Sequence, residues 1–316
     1  MKLKVLKNTK DMSQKEWEEA RSQYLGGSDA GTILGMNKWK SRFVLYQERC
    51  NPEYAAPDIS NKDVIVWGHK LEALVAERFM EVTGKKVRKC NQLLVHPEHE
   101  FMTANVDRLV IGEDAILECK TTDSRNYDEW VDEEVPPTYI AQVQHYMAVT
   151  GAKKAYIAVL IGGNRFVWKT IDRDDEFIEL LIEWESDFWY NNVLKGIPPE
   201  MDGSDSTKEY LNDEYSETNN QTIELSKRDQ VLIDSIQTIK QQEKELKETR
   251  TKYENELKQN LADNVGGFSN DFQVTWKHQT SKRVDTRALK KEYPEIAKEL
   301  TKESTSRVMR IKELNK

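Results

Sequence analysis

Between Lys62 and Ile171 the sequence marks its own element boundaries, and their order restricts what the chain can become. A helix-like stretch over Lys62–Thr83 stops at Gly84, and a second follows Pro136-Pro137 and runs to Thr150 before Gly151. Glycine just past the last turn and proline just inside the first are the residues that helix ends prefer. Strand-like runs lie between and after these helices: Phe101–Ile111 and Ala115–Thr121 around Gly112-Glu113, then Tyr156–Ile161 and Arg165–Ile171 around Gly162-Gly163-Asn164. Helices alternating with strand pairs predict a mixed α/β unit, here spanning residues 1–200.

Upstream, Ser13 and Glu16 have the spacing of a capping box before a short helix carrying Trp17. Gly26-Gly27-Ser28-Asp29-Ala30-Gly31 reads as a loop entering a short helix that ends near Gly35, and Arg42–Arg49 as another helix. Asp174 caps a further helix carrying Phe177, Leu180, Leu181, Trp184 and Phe188. Residues 201–221 are polar and read as a linker. Residues 222–264 form a long helical arm over about Ile223–Leu261, with Leu225, Leu232, Ile239, Leu246 and Tyr253 recurring every seven residues. Glu243 and Arg250 interrupt the companion row of Ile236 and Leu257, so the seam is narrower than that of a coiled coil. Residues 265–316 read as a basic β/α extension, with a strand at Phe272–Trp276, a helix near Thr286–Leu300 and a last strand near Arg307–Ile311.

The net charge of −8 is unevenly placed: 12 Lys/Arg against 6 Asp/Glu from Lys277 to Lys316 give that tail +6, leaving −14 for the rest. An acidic body can still hold nucleic acid along one basic groove, and its clustered carboxylates can be metal ligands. Cys50, Cys90 and Cys119 form no CxxC pair, which fits a reducing compartment and gives no zinc framework. His69, His96, His99, His145 and His278 show no metal-ligand spacing. No apolar run approaches the roughly 20 residues of a membrane span, the basic start is not followed by a secretory core, and there is no phosphate-binding P-loop. A cytoplasmic protein is expected.

The chemistry concentrates in Asn105-Val106-Asp107 and, ten residues after Asp107, Leu117-Glu118-Cys119-Lys120. Alternate residues of a strand share a face, so Glu118 and Lys120 lie side by side. Taking Gly112-Glu113 as a two-residue hairpin loop pairs Ile111 with Asp114 and sets Asp107 opposite Glu118, with Cβ atoms about 5 Å apart. Two carboxylates that close repel, and a bound cation relieves them; oxygen ligands favour Mg²⁺ or Mn²⁺. Glu72, in Trp67-Gly68-His69-Lys70-Leu71-Glu72, is flanked by apolar residues and expected to point inward. Gln142 and Tyr146 share a helix face that Gln144 does not. Each of these features also has an ordinary structural explanation: a surface salt bridge, a solvated helix glutamate, an amphipathic helix.

Together the segments resemble the YqaJ-like viral recombinase and lambda-exonuclease family over about residues 12–196. Four ordered motifs carry the likeness: Arg21-x6-Ser28-Asp29-Ala30 with Ile33-Leu34-Gly35; Trp67-Gly68-x3-Glu72; Asp107 with Leu117-Glu118-Cys119-Lys120; and Ala141-Gln142-Val143-Gln144-x-Tyr146-Met147. The resemblance implies a PD-(D/E)XK restriction-endonuclease-like core, a central mixed β-sheet flanked by helices, followed here by the long helix and the small basic tail. It implies that Glu72, Asp107, Glu118 and the Cys119 carbonyl hold Mg²⁺ or Mn²⁺, that Lys120 is catalytic with Gln142 its helper, and that Arg21 and Ser28 meet the substrate 5′ end. It further implies a 5′→3′ exonuclease on double-stranded DNA, a single-strand annealing partner of the RecT or Red-beta type, and a homo-oligomer, commonly a ring trimer. An endonuclease on the same core, a non-catalytic DNA-binding or assembly protein, and a scaffold built around the long helix are the alternatives. The tail's Lys277, Lys282, Arg283, Arg287, Lys290, Lys291, Arg307 and Arg310 are a DNA-binding appendage or a solvated face.

Overall fold

The computed structural model describes residues 3–54, 60–132, 134–303 and 305–312. They fall into two units, the first ending at Glu214 and the second beginning at Tyr215. In the first unit the order is β1 (Val5–Asn8), α1 (Gln14–Ser22), β2 (Leu25–Gly26), α2 (Gly27–Ile33), α3 (Arg42–Cys50), α4 (Asp63–Thr83), β3 (Val87–Lys89), β4 (Gln92–Val95), β5 (Met102–Ala104), β6 (Arg108–Val110) and β7 (Ala115–Thr122). Then come α5 (Pro137–Thr150), β8 (Lys154–Ile161), β9 (Arg165–Asp172), α6 (Asp175–Asp187) and α7 (Asp205–Glu214).

The main sheet runs β3-β6-β7-β8-β9. β7 and β8 are parallel and the other neighbours antiparallel. A parallel pair needs a long crossover, and α5 lies within it. Alternation along the strands divides the core between the two faces. On one face α4 packs Val75, Ala76 and Phe79 against Val110, Ala115, Leu117, Tyr156 and Ala158. On the other, Val143 and Met147 of α5 join Leu109 and Ile116 in the larger core cluster. This mixed sheet between helices is the α/β architecture that the element order predicts. Gly84 and Gly151 end α4 and α5 in the left-handed conformation, with φ of 70° and 68°, and the Ser13–Glu16 capping box opens α1.

A second sheet, β1-β4-β5-β2, was not legible in the sequence. The run Phe101–Ile111, expected as one strand, divides between the two sheets: β5 joins the second and β6 the main one, with Asn105-Val106-Asp107 between them. Met102, Thr103 and Ala104 are all buried, as are Arg108, Leu109 and Val110. Strands covered on both faces lose the alternation that would have told them apart.

The stretch read as linker contains α7. Tyr210 packs edge-on to Phe43 and Tyr54, and Thr207 Oγ1 lies 2.8 Å from Ser41 Oγ. These contacts tie α7 to α3 and extend the first unit past residue 200.

The second unit comprises α8 (Lys227–Leu261), β10 (Gly266–Phe268), β11 (Gln273–Thr275), α9 (Thr286–Glu292) and α10 (Pro294–Glu299). α8 starts at Lys227 rather than Ile223 because Ser226 and Asp229 form a capping box. The helix expected near Thr286–Leu300 is two helices, since the residue before a proline is held out of the helical region; Tyr293 takes φ −133° and ψ 61° ahead of Pro294. The strand expected near Arg307–Ile311 does not form: residues 305–312 carry no strand. Among the described residues the β10–β11 hairpin takes no third strand, and the Arg307 guanidinium bonds the carbonyls of Tyr215 and Glu217. Among the described residues no helix is long and apolar enough to cross a membrane.

Candidate active site

Asp107 and Glu118 take their positions from the pairing of β6 with β7. Arg108 lies opposite Leu117 and Leu109 opposite Ile116. Continuing that register by one residue sets Asp107 opposite Glu118. The connection is wider than two residues, because Ile111 and Asp114 are also outside the strands. Widening it by one residue on each side leaves the register unchanged, so the expected pairing holds.

Glu118 and Lys120 point to the α5 face and meet there. Lys120 Nζ is 2.7 Å from Glu118 Oε1 and donates to Gln142 Oε1 at 3.0 Å. Gln142 Nε2 donates to Glu118 Oε1 at 2.8 Å and to the Tyr146 hydroxyl at 3.0 Å. The Lys120 ammonium also lies 4.8 Å from the Tyr139 ring centroid, a cation–π contact. Asp107 Oδ2 accepts the Cys119 amide at 2.8 Å. Asp107, Glu118, Lys120 and Gln142 are thus brought together, while Gln144 turns away to bond the Asp172 carbonyl and the Asp174 amide.

Burial is the largest single influence and works against the Lys120 charge, but the adjacent Glu118 carboxylate together with Tyr146 and Tyr139 outweighs it and raises the lysine pKa. Lys120 is therefore a standing ammonium: it can orient a water or neutralise charge, but it is not a free base at neutral pH. Burial is also the largest influence on Asp107, and the charges of Glu118 and Glu72 add to it, holding its pKa well above the carboxylate range. Burial raises the Cys119 thiol likewise, with help from Asp107 and Glu118.

Glu72 is the exception. It reaches the site from α4, on the opposite face of the sheet, and its carboxylate is held by Arg108, whose side chain is only 7% exposed. Arg108 also donates to the Asp107 carbonyl at 2.8 Å. The partner expected to be a metal is here a guanidinium. Among the described residues no three His, Cys, Asp or Glu side chains already stand as a metal-holding group. The donor chemistry nevertheless suits a hard divalent ion. Glu118 Oε2 is buried without a hydrogen-bond partner, Asp107 resists ionisation in the absence of a counter-charge, and every candidate ligand is oxygen.

At the other end of the site Arg21 Nη2 donates to Ser28 Oγ at 3.1 Å, so these two expected partners are neighbours. The glycine-rich entry to α2 carries its own carboxylate. α2 has seven residues, Asp29 Oδ2 accepts its N-cap amide from Gly26, and Arg49 pairs that carboxylate at 2.7 Å. Burial would raise the Asp29 pKa, but Arg49, the Gly26 amide, Arg21 and Lys40 together outweigh it and lower the pKa. A Cβ on Gly27 would stand 2.4 Å from a Tyr146 ring carbon and 3.0 Å from the Gln142 carbonyl. The Arg21–Ser28 corner and the Lys120 cluster therefore adjoin across Tyr146.

Sequence reasoning missed Arg108, Arg49 and Tyr139 as members of this neighbourhood. Tyr139 lies three residues before Gln142, and helical spacing could have found it. Arg108 follows Asp107 directly, and strand alternation sends it to the opposite face. Nothing local links Arg49 to Asp29.

Comparison with known proteins bears on the family of the chain. The family profile of the YqaJ-like viral recombinase domain matches residues 16–153. YqaJ of Bacillus subtilis strain 168, itself described as uncharacterized, is 44% identical over 314 residues, covering 98% of each chain. Among solved structures, the alkaline exonuclease LHK-Exo from Laribacter hongkongensis is 21% identical with a TM-score of 0.48, over 58% of this chain and 94% of that one. A phage related exonuclease from Haemophilus somnus 129PT is 16% identical with a TM-score of 0.43, over 55% and 96%. Membership rests on the Bacillus relative and the profile.

Proposed function

Since the chain belongs to the YqaJ-like viral recombinase family, we propose that it is a divalent-metal-dependent exonuclease that degrades the 5′-ended strand of duplex DNA. It works 5′→3′ and leaves 3′ overhangs for a single-strand annealing protein of the RecT or Red-beta type. The observation that carries this is Glu118: one carboxylate oxygen is engaged by Lys120 and Gln142, and the other is buried without a partner. Asp107 stands at its side.

In this reading Glu72, Asp107, Glu118 and the Cys119 carbonyl hold Mg²⁺, with Mn²⁺ a working substitute. When bound, the ion supplies a Lewis acid for the phosphoryl oxygens and an activated water. Lys120 keeps its charge, orients the attacking water and neutralises developing negative charge. Gln142 holds Lys120 and Glu118 in one geometry, and Arg21 with Ser28 receives the 5′ end. To join the other ligands Glu72 would have to release Arg108. The protein acts in the cytoplasm as a homo-oligomer, a ring trimer by family analogy.

Timed digestion of end-labelled linear duplex, with and without 5′-phosphate, in Mg²⁺, Mn²⁺ or EDTA tests the proposal. Loss of label from 5′ ends only with metal is the expected result. A covalently closed circle cut as fast as the linear duplex would instead make the protein an endonuclease.

A further inference from the structure

Beneath the site lies a pair of titratable side chains that the proposed chemistry does not use. His145 of α5 and Glu185 of α6 are both 0% exposed. His145 Nδ1 is 2.8 Å from Glu185 Oε1, and Nε2 is 2.9 Å from the Thr103 carbonyl. A carbonyl only accepts, so Nε2 carries a hydrogen and donates it. The Nδ1–Oε1 contact holds one more proton, whether as imidazolium with carboxylate or as imidazole with carboxylic acid. The second oxygen of Glu185 has no hydrogen-bond partner.

Such a pair is a poor device for stability alone. Buried ion pairs can often be replaced by well-packed apolar side chains at no cost, whereas removing one partner is damaging. What the pair fixes is position. Thr103 in β5 pairs with Gly26 in β2, and its hydroxyl bonds the Leu25 carbonyl. The next residue, Gly27, lies against Tyr146 and Gln142 with no room for a Cβ. The strand end that presents Ser28 is therefore held at a set distance from α5, and His145 supplies the polar tether from α5 to that strand pair.

We propose that His145, oriented by Glu185, is a positioning residue that keeps the Arg21–Ser28 corner in register with the Lys120–Glu118–Gln142 cluster. The assignment rests on the reading above, in which the corner receives the DNA 5′ end and the cluster cuts.

The test uses the full chain with three variants. His145→Leu with Glu185→Leu removes both charged groups. Glu185→Gln keeps the shape and can donate to Nδ1 while Nε2–H still reaches Thr103. His145→Gln keeps a donor for one partner only and serves if the double variant does not fold. Amide hydrogen exchange and steady-state cleavage of 5′-phosphorylated duplex are read together. In the double variant, exchange at residues 25–31 and 101–104 should quicken by ~10-fold while the main sheet stays protected. KM should rise about 10-fold with kcat within roughly 3-fold. Glu185→Gln should restore both. Unchanged exchange at those segments, exchange quickened evenly through the first unit, or failure of Glu185→Gln to restore it would each overturn the assignment. If the wild-type protein does not cut from 5′ ends, the functional reading fails by itself, and the exchange pattern still decides whether the pair fixes the corner.

Discussion

The two units use the same charged alphabet in opposite ways. In the first, the main sheet is packed on both faces, and charged groups such as Glu118, Arg108 and Glu185 are buried with partners. In the second, Ala297 is the one buried residue among those described, and the 35-residue α8 has none. An isolated two-stranded hairpin such as β10–β11 is marginal in water, and a solvated helix stands on its caps and local pairs. Elements of the first unit are thus held by contacts far apart in sequence, and those of the second by signals within a few residues.

The largest separation is expected in cleavage. Glu118→Gln or Lys120→Met should lower the rate on end-labelled duplex by at least about 10³-fold, or ~4 kcal/mol in the barrier, with the urea midpoint kept. Retained cleavage would remove the site from consideration. Next, Tyr210→Ala, which strips the ring packed between Phe43 and Tyr54, should cost about 3 kcal/mol in urea unfolding. A loss near zero would return residues 205–214 to the linker. Gly27→Ala should cost roughly 2 kcal/mol through overpacking against Tyr146 and slow cleavage as well. Cleavage slowed without any stability loss would leave a functional role only.

A pH titration sharpens the contrast further. Burial lowers the His96 pKa from 6.5 to about 4, and its Nδ1 accepts the amides of Glu98 and His99. The folded protein therefore takes up this proton later than the unfolded chain does. The contribution is whole above pH 6.5 and is lost as pH falls toward 4. His96→Asn, whose oxygen can accept the same amides, should flatten that part of the stability–pH curve, and an unchanged curve would contradict the assignment. The smallest effect belongs to α8: Leu246→Ala, on a side chain 70% exposed, should cost less than about 0.5 kcal/mol. A cost above 2 kcal/mol would show that α8 is covered in solution.

The contrast also explains what the sequence could reveal. The helix stops at Gly84 and Gly151 were readable because the chemistry is local. The meeting of Asp107, Glu118 and Lys120 was readable because strand register is periodic, whereas Gln142 was joined to them only through the family resemblance. The second sheet was not, since β1, β2, β4 and β5 have two to four residues each and gain their identity from partners distant in sequence. Glu72 was read as facing a metal because apolar neighbours suggested burial. That Arg108 would meet it depends on two faces of one sheet converging at the end of β6, which no single segment encodes. Ser226 shows a local signal overlooked: the capping box was present in the letters.

The Arg108–Glu72 contact has a consequence for how this molecule is made. A hollow lined with carboxylates ordinarily obliges a newborn chain to find an inorganic ion before it can close. Here a covalently attached cation travels with the polypeptide and neutralises one of them from the start. Under the proposed reading, the chain can therefore complete its fold in a chelating medium before any ion arrives.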